Sequence, residues 1–247
     1  VGETVYNISH RLNYPVEEAY KVLKANLQFC EPELKIKTLA ITSFSPGEGK
    51  TTTSVNLSIV MAKSGMKVLY VDADLRKPIV YKTLVNSDFK GLSNYLMGQV
   101  ELEEIINPTN IKGFYFISCG VRAPNPGELV SDKGFADFLE KVRERYDMII
   151  IDTPPLGSVI DAAVIASNTD GTIIVIKPNT VRQKNALMMK EQLLKANAKI
   201  VGVILNKVER VEYKNYYCGY DYYGTGKKHS KRKLKKQFKE KRGSCND

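Results

Sequence analysis

The stretch Ser43-Phe44-Ser45-Pro46-Gly47-Glu48-Gly49-Lys50-Thr51-Thr52 decides how the rest of the chain is read. An apolar run at 38–42 precedes it and reads as a strand; residues 53–62 follow and read as a helix with one apolar face. Strand, glycine-bearing loop and helix, in that order, form the context of a P-loop. Backbone N–H groups of such a loop and of the helix start point at phosphate oxygens. Gly47 and Gly49 let the backbone approach without a Cβ in the way, and Glu48 and Thr52 complete the cradle. Lys50 places a point charge on the β- and γ-phosphates, and the Thr51 hydroxyl suits Mg²⁺. The full pattern G-x-x-x-x-G-K-[ST] asks for glycine where Phe44 stands, and a GKT tripeptide alone can be an ordinary helix entry.

Support comes from two further stretches. Val68-Leu69-Tyr70-Val71-Asp72-Ala73-Asp74-Leu75-Arg76 is a strand-forming run ending in carboxylates one residue apart, and Met148-Ile149-Ile150-Ile151-Asp152 is another apolar run ending in a carboxylate. Acids at the C-terminal ends of parallel strands face the crevice where ligands bind. Asp72, Asp74 and Asp152 with a P-loop supply what a Mg²⁺–nucleotide site requires. The alternative for each acid is a cap on the loop or helix that follows.

At 247 residues and 43% hydrophobic content, the chain suits one large α/β domain with tails. No apolar run is long enough to span a membrane, and the first residues lack a signal-peptide pattern, so secretion is not expected. Cys30, Cys119, Cys218 and Cys245 are far apart and suggest neither a zinc site nor a disulfide framework; a reducing cytoplasm fits. The net charge of +10 is concentrated late, since 227–242 holds ten Lys and Arg against Glu240 alone. The body is nearly neutral and the end is a cationic brush.

Along the chain, 15–29 reads as a helix, with Glu18, Lys21 and Lys24 on a face apart from its apolar positions. That face is either a solvated charged surface or an interface. Strands are expected at 38–42, 67–72, 114–118, 148–152 and 172–176, with a last buried strand at 200–205. Helices are expected at 53–62, 161–167 and 181–196, as one helical region that starts at 125–129, carries Leu129, Phe135, Phe138, Leu139 and Val142 and ends before Tyr146, and as short pieces at 79–84 and 92–96. Alternating strands and helices predict an α/β fold, a mostly parallel sheet with helices on both faces. A single P-loop domain at 1–207 and a tail at 208–247 are expected. In the tail, Tyr213, Tyr216, Tyr217, Tyr220, Tyr222 and Tyr223 crowd into 213–223 with glycine and charge between them and no aliphatic residue, so the segment cannot form a core of its own and is expected to be disordered.

The P-loop, the V-D-A-D-L-R-K-P stretch from Val71, the I-D-T-P-P stretch from Ile151 and the tyrosine cluster together resemble the bacterial tyrosine kinases, in particular the short cytoplasmic CpsD-like type found with capsule and exopolysaccharide synthesis. The resemblance spans roughly 15–223. It implies a P-loop NTPase fold related to the partitioning ATPases and a non-specific protein-tyrosine kinase that uses ATP and Mg²⁺ to phosphorylate its own tail tyrosines in trans. By motif, Lys50 and Thr51 would hold phosphates and metal, and Asp72, Asp74 and Arg76 would be catalytic, with Asp72 accepting the tyrosine proton. Asp152 would position the metal and Asn206 would contact adenine. The ring-forming E-x-x-R-x-x-R pattern stands here as Glu18, Lys21 and Lys24; lysine keeps the charge and loses the bidentate fork. Seen with the family, Glu18 is read as an interface residue. Implied partners are a membrane-bound activator of the polysaccharide co-polymerase kind, a cognate tyrosine phosphatase and copies of the chain in a ring. The implied location is cytoplasmic, at the inner face of the cell membrane through the activator. The basic extension exceeds the family pattern and suits anionic lipid.

A partitioning or positioning ATPase is the rival reading; such proteins carry an early P-loop lysine where this chain has Ser45. A nucleic-acid-binding protein using the basic tail is the third; nucleic acid is the less expected partner.

Overall fold

The computed structural model describes residues 8, 12–30, 36–76 and 90–208. The chain divides into two units, Val1–Lys207 and Val208–Asp247, and the fold below belongs to the first. The expected helix at 79–84 and all six tail tyrosines lie outside the described residues.

Helix α1 (Tyr14–Phe29) leads to β1 (Thr38–Ser43), α2 (Lys50–Lys63) and β2 (Val68–Asp72). Short elements α3 (Leu92–Leu96), α4 (Leu102–Ile105) and β3 (Asn107–Pro108) precede β4 (Phe114–Ile117). Then come α5 (Pro126–Ser131), α6 (Lys133–Arg143), β5 (Met148–Asp152), α7 (Asp161–Ser167), β6 (Gly171–Ile176), α8 (Gln183–Lys195) and β7 (Ile200–Leu205). The sheet order is β3-β4-β2-β5-β1-β6-β7. Its pairings are parallel apart from that of β3 with β4.

Period-two alternation sends successive side chains to opposite faces. Leu69, Val71, Ile149 and Ile151 meet Phe135, Phe138, Leu139 and Val142 of α6 on one face. Leu39, Ile41, Tyr70 and Ile150 meet Leu57, Ile59 and Met61 of α2 on the other. With both faces covered, β1, β2 and β5 are buried along their whole length, as a parallel sheet requires. The helix α1 lies over α2 with no fully buried residue; Tyr20, Leu23 and Leu27 are half-buried against that same core.

Two expectations need correction, and one strand was not foreseen. The last strand is not buried: β7 ends the sheet, and Val203 and Leu205 are 59% and 53% exposed. An apolar run does not reveal whether a strand will have a neighbour on both sides. The helical region at 129–142 is two helices, because Asp132 donates its N–H to Glu128 to close α5 and its carboxylate accepts from the Lys133 N–H to open α6; a side chain that bonds nearby backbone competes with helix continuation. Strand β3 has no periodicity to read, and its Pro108 is tolerated because the strand sits at the sheet edge.

Candidate active site

The buried strands β1, β2 and β5 end together, so the P-loop after Ser43, Asp72 and Asp152 converge at one edge of the sheet, with Asp72 beside Asp152 in register. The loop has the backbone its glycines permit. Gly47 and Gly49 adopt φ of 80° and 95°, in the left-handed region, and Gly49 caps α2. A Cβ on Gly49 would collide with the Asn206 amide. Phe44, where the strict pattern has glycine, is accommodated sideways: its carbonyl accepts from Gly157 N–H at 3.0 Å, and its ring lies in the space that a Cβ on Gly157 would fill.

Lys50 Nζ stands 3.6 Å from Asp152 Oδ1 and 3.8 Å from Asp74 Oδ2. Thr51 Oγ donates to Asp152 Oδ2 at 2.5 Å and Tyr70 Oη to the same oxygen at 3.3 Å, while Ser54 Oγ reaches Oδ1 at 3.4 Å. Burial holds the Asp152 carboxyl above its ordinary range, against the opposing pull of Lys50 and Thr51. Asp72 is 1% exposed and accepts from the Asp74 N–H at 3.1 Å. Burial and then the Asp152 charge push its carboxyl up to about 8. The buried Cys119 thiol is raised as well, by burial and then by Asp72.

Lys50, Thr51, Asp72, Asp74 and Asp152 therefore meet in one site. Arg76 lies at its flank and is held by Asp161 through two bonds of 2.7 and 3.0 Å. Asn206 sits against the outside of the loop, its Nδ2 donating to the Glu48 carbonyl at 2.9 Å. Glu48 turns its side chain away from the loop's interior: it is 2% exposed, and its carboxylate accepts from Ser45 N–H at 2.8 Å, Thr180 Oγ at 3.2 Å and Lys177 N–H at 3.4 Å. Thr52 is exposed in the first turn of α2. Glu18 and Lys21 pair with each other at 2.8 Å on α1, and Lys24 lies one turn further along.

Sequence reading missed Tyr70, Ser54 and Asp161. Tyr70 and Ser54 read as core and helix-face residues, and only the fold reveals that both converge on Asp152. Asp161, at the start of α7, carried the signal of a helix-start acid and nothing more specific.

The oxygen donors of Thr51 and Asp152 beside a lysine fit a hard cation that completes its shell with phosphate and water. Among the described residues no cluster of three or more His, Cys, Asp or Glu could hold a metal ion. Fold and site define a P-loop nucleotide-binding protein.

The sequence matches the AAA domain family over residues 36–208. It is 40% identical over 218 residues to the tyrosine-protein kinase CpsD of Streptococcus agalactiae, covering 88% of this chain and 93% of that one. Among solved structures, the kinase domain of the Escherichia coli tyrosine kinase ETK superposes with a TM-score of 0.75 at 32% identity, over 84% of this chain and 91% of that one. The septum site-determining protein MinD of Pyrococcus horikoshii, solved with Mg-ADP, gives 0.58 at 25% identity, over 72% and 76%. The chain belongs to the bacterial tyrosine-protein kinase family, on an AAA-type P-loop domain.

Proposed function

We propose that the chain is an ATP- and Mg²⁺-dependent, non-specific protein-tyrosine kinase that phosphorylates its own C-terminal cluster in trans and thereby regulates capsular or exopolysaccharide synthesis and export. The observation that carries this is the meeting of the P-loop Lys50 with Asp74, Asp152 and Thr51 at the strand ends, in a chain similar over 88% of its length to a named tyrosine-protein kinase.

In this reading residues 1–207 are the kinase domain and 208–247 the substrate tail. The loop amides around Gly47 and Gly49 and the Lys50 ammonium bind phosphates. Thr51 and Asp152 hold Mg²⁺, which when bound neutralises phosphate charge. Asp72, once ionised in the nucleotide-loaded site, is assigned the role of accepting the proton of an incoming tyrosine. Arg76, fixed by Asp161, presents its remaining N–H groups at the flank. Asn206 spends one amide hydrogen on Glu48 and keeps Oδ1 free of that bond, an acceptor suited to the exocyclic amine of adenine. Glu18, Lys21 and Lys24 contribute to a homo-oligomeric ring. A membrane-bound activator of the co-polymerase kind completes the enzyme and places it at the inner face of the membrane, the basic segment adds contact with anionic lipid, and a tyrosine phosphatase resets it. Among the described residues no helix is long and apolar enough to cross a membrane.

The partitioning-ATPase reading is weaker on two counts: the superposition is closer with the kinase domain than with MinD, and Ser45 stands where a lysine is expected. The test is incubation with ATP, Mg²⁺ and the activator's cytoplasmic segment, followed by mass mapping. Phosphate on Tyr213, Tyr216, Tyr217, Tyr220, Tyr222 or Tyr223 is expected. A protein that binds nucleotide and activator yet acquires no phosphotyrosine overturns the reading.

A further inference from the structure

Two carbonyls of the P-loop are held by the residues that end the domain. Lys207 Nζ donates to the Gly47 carbonyl at 2.7 Å, and Asn206 Nδ2 donates to the Glu48 carbonyl at 2.9 Å. These are the carbonyls of consecutive peptide units. In a trans peptide the C=O of one residue and the N–H of the next point in opposite directions across one rigid plane. Drawing the Gly47 carbonyl outward therefore turns the Glu48 N–H inward, and drawing the Glu48 carbonyl outward turns the Gly49 N–H inward. Those two N–H groups are donors a phosphate needs. An ammonium on the carbonyl also polarises the peptide and makes its N–H a better donor.

Lys207 is itself unusual. It adopts φ of 59°, in the left-handed region that residues with a Cβ seldom occupy. Asn206 just before it is tied to the sheet, its N–H donating to the Ile176 carbonyl at 2.8 Å. The Lys207 stem runs close to Gly49, where a Cβ would lie 3.8 Å from its Cε. A side chain from the far edge of the sheet thus reaches over a glycine and ends on a loop carbonyl.

We infer that Lys207 is a positioning residue for the nucleotide site: by seating its ammonium on the Gly47 carbonyl it presets the loop amides toward phosphate and fastens the root of the tail to the nucleotide loop. It acts through the backbone and not by touching the nucleotide. The inference rests on the nucleotide-binding reading of the loop. Because the same residue is the last of the domain before the tail, an event that pulls Lys207 off Gly47 weakens phosphate binding, and bound phosphate holds Lys207 in place, as linkage requires.

The experiment measures ADP and adenosine binding by calorimetry for the full chain, Lys207→Met and Lys207→Arg, with thermal unfolding of each in the absence of nucleotide. Lys207→Met is expected to weaken ADP about fivefold or more, to leave adenosine binding and the nucleotide-free melting temperature unchanged, and to shift the Glu48 and Gly49 amide resonances. Lys207→Arg, which can still donate to the carbonyl, is expected to bind ADP within about twofold of wild type. In the kinase assay Lys207→Met raises the KM for ATP with kcat retained at saturation. Wild-type ADP affinity in Lys207→Met, or a loss shared equally by adenosine, overturns the inference. Failure of the wild-type chain to bind ADP would instead overturn the nucleotide reading on which it rests.

Discussion

Arg76 lies against Asp161 through two parallel bonds, Nε to Oδ2 at 2.7 Å and Nη2 to Oδ1 at 3.0 Å. The Asp161 side chain is 4% exposed and that of Arg76 42%, so the fork compensates a buried charge from a half-open position. The pair ties the segment after β2, which carries Asp74, to the first turn of α7. Removing one partner of a buried pair leaves the other uncompensated. Discounted for the exposure of Arg76, Asp161→Asn should cost about 1–2 kcal/mol, read as a lower urea midpoint. It should also lower the phosphorylation rate at saturating ATP, because Arg76 loses its anchor. Unchanged values of both would show that the fork neither stabilises the fold nor sets Arg76.

Lys50 stands among the strand-end carboxylates, at 3.6 Å from Asp152 and 3.8 Å from Asp74. Lys50→Met should abolish nucleotide-dependent phosphorylation, since a thioether keeps the length of the side chain and removes the charge that phosphate requires. The fold should survive, because the deeper core residues Leu39, Ile41 and Leu57 do not depend on that ammonium. Far-ultraviolet circular dichroism and the kinase assay check both halves. Near-normal phosphorylation by a folded variant would remove the P-loop assignment.

Asp72 sets a pH dependence on the stability of the metal-free protein. Its carboxyl is raised to about 8 by burial and by Asp152. In the unfolded chain it titrates near the ordinary 3.8. Between these values the folded state binds more proton than the unfolded one, so stability falls as pH rises from about 4 to about 8 and levels off beyond. Asp72→Asn removes the penalty of ionising this buried group. In EDTA, urea denaturation should show the variant gaining on wild type as pH rises, by on the order of a few kcal/mol at pH 8.5, with little difference attributable to this group at pH 4. A gap of the same size at both pH values would mean that Asp72 is not carried as a neutral acid.

Much of this was legible because the informative residues sit at strand ends. A parallel strand buried on both faces reads as an apolar run, and the first acid after it marks the edge where ligands bind, which exposes Asp72 and Asp152 to a reader of the sequence alone. The parallel sheet and its helices follow from the same runs. What stayed hidden depends on neighbours remote in the chain. Tyr70 is an ordinary strand residue until β2 and β5 pair and bring its hydroxyl to Asp152. The exposure of β7 depends on its being last in the sheet order. The two bonds from Asn206 and Lys207 to the P-loop link residues 158 and 160 positions apart in sequence, with no local pattern to announce them. Glu48 was read with the phosphate cradle from its place in the motif, and its carboxylate turns out to brace the loop on Thr180 and Lys177.

Transfer of phosphate between subunits is the outcome we expect for a tyrosine cluster so close to the end of the domain. Tyr213 is six positions after Lys207, a span of at most about 21 Å. Lys207 is bonded to a carbonyl of the P-loop, whereas phosphate is a ligand for the loop's N–H groups. A tail that short is expected to double back to reach the P-loop of its own subunit. In a ring, a neighbour's site can lie along the tail's path, and tethering supplies a high effective concentration. Each phosphotyrosine adds about -1.5 to -2 charges, so six bring roughly -9 to -12 against ten Lys and Arg and one Glu at 227–242. Accumulated phosphate should therefore draw the tail onto its own basic segment and loosen the ring, making the modification self-limiting. Glu18, bonded to Lys21 on the exposed side of α1, belongs in this scheme to the ring contact; Glu18→Ala should reduce phosphorylation while leaving ADP affinity unchanged. The decisive experiment mixes Lys50→Met chains, which keep their tyrosines and cannot use ATP, with chains whose six tail tyrosines are phenylalanine. Phosphate on the Lys50→Met chains is expected. If they stay unmodified under conditions where wild-type protein is phosphorylated and mixed rings are shown to form, transfer occurs within one subunit, and the tail must make the reversal after all.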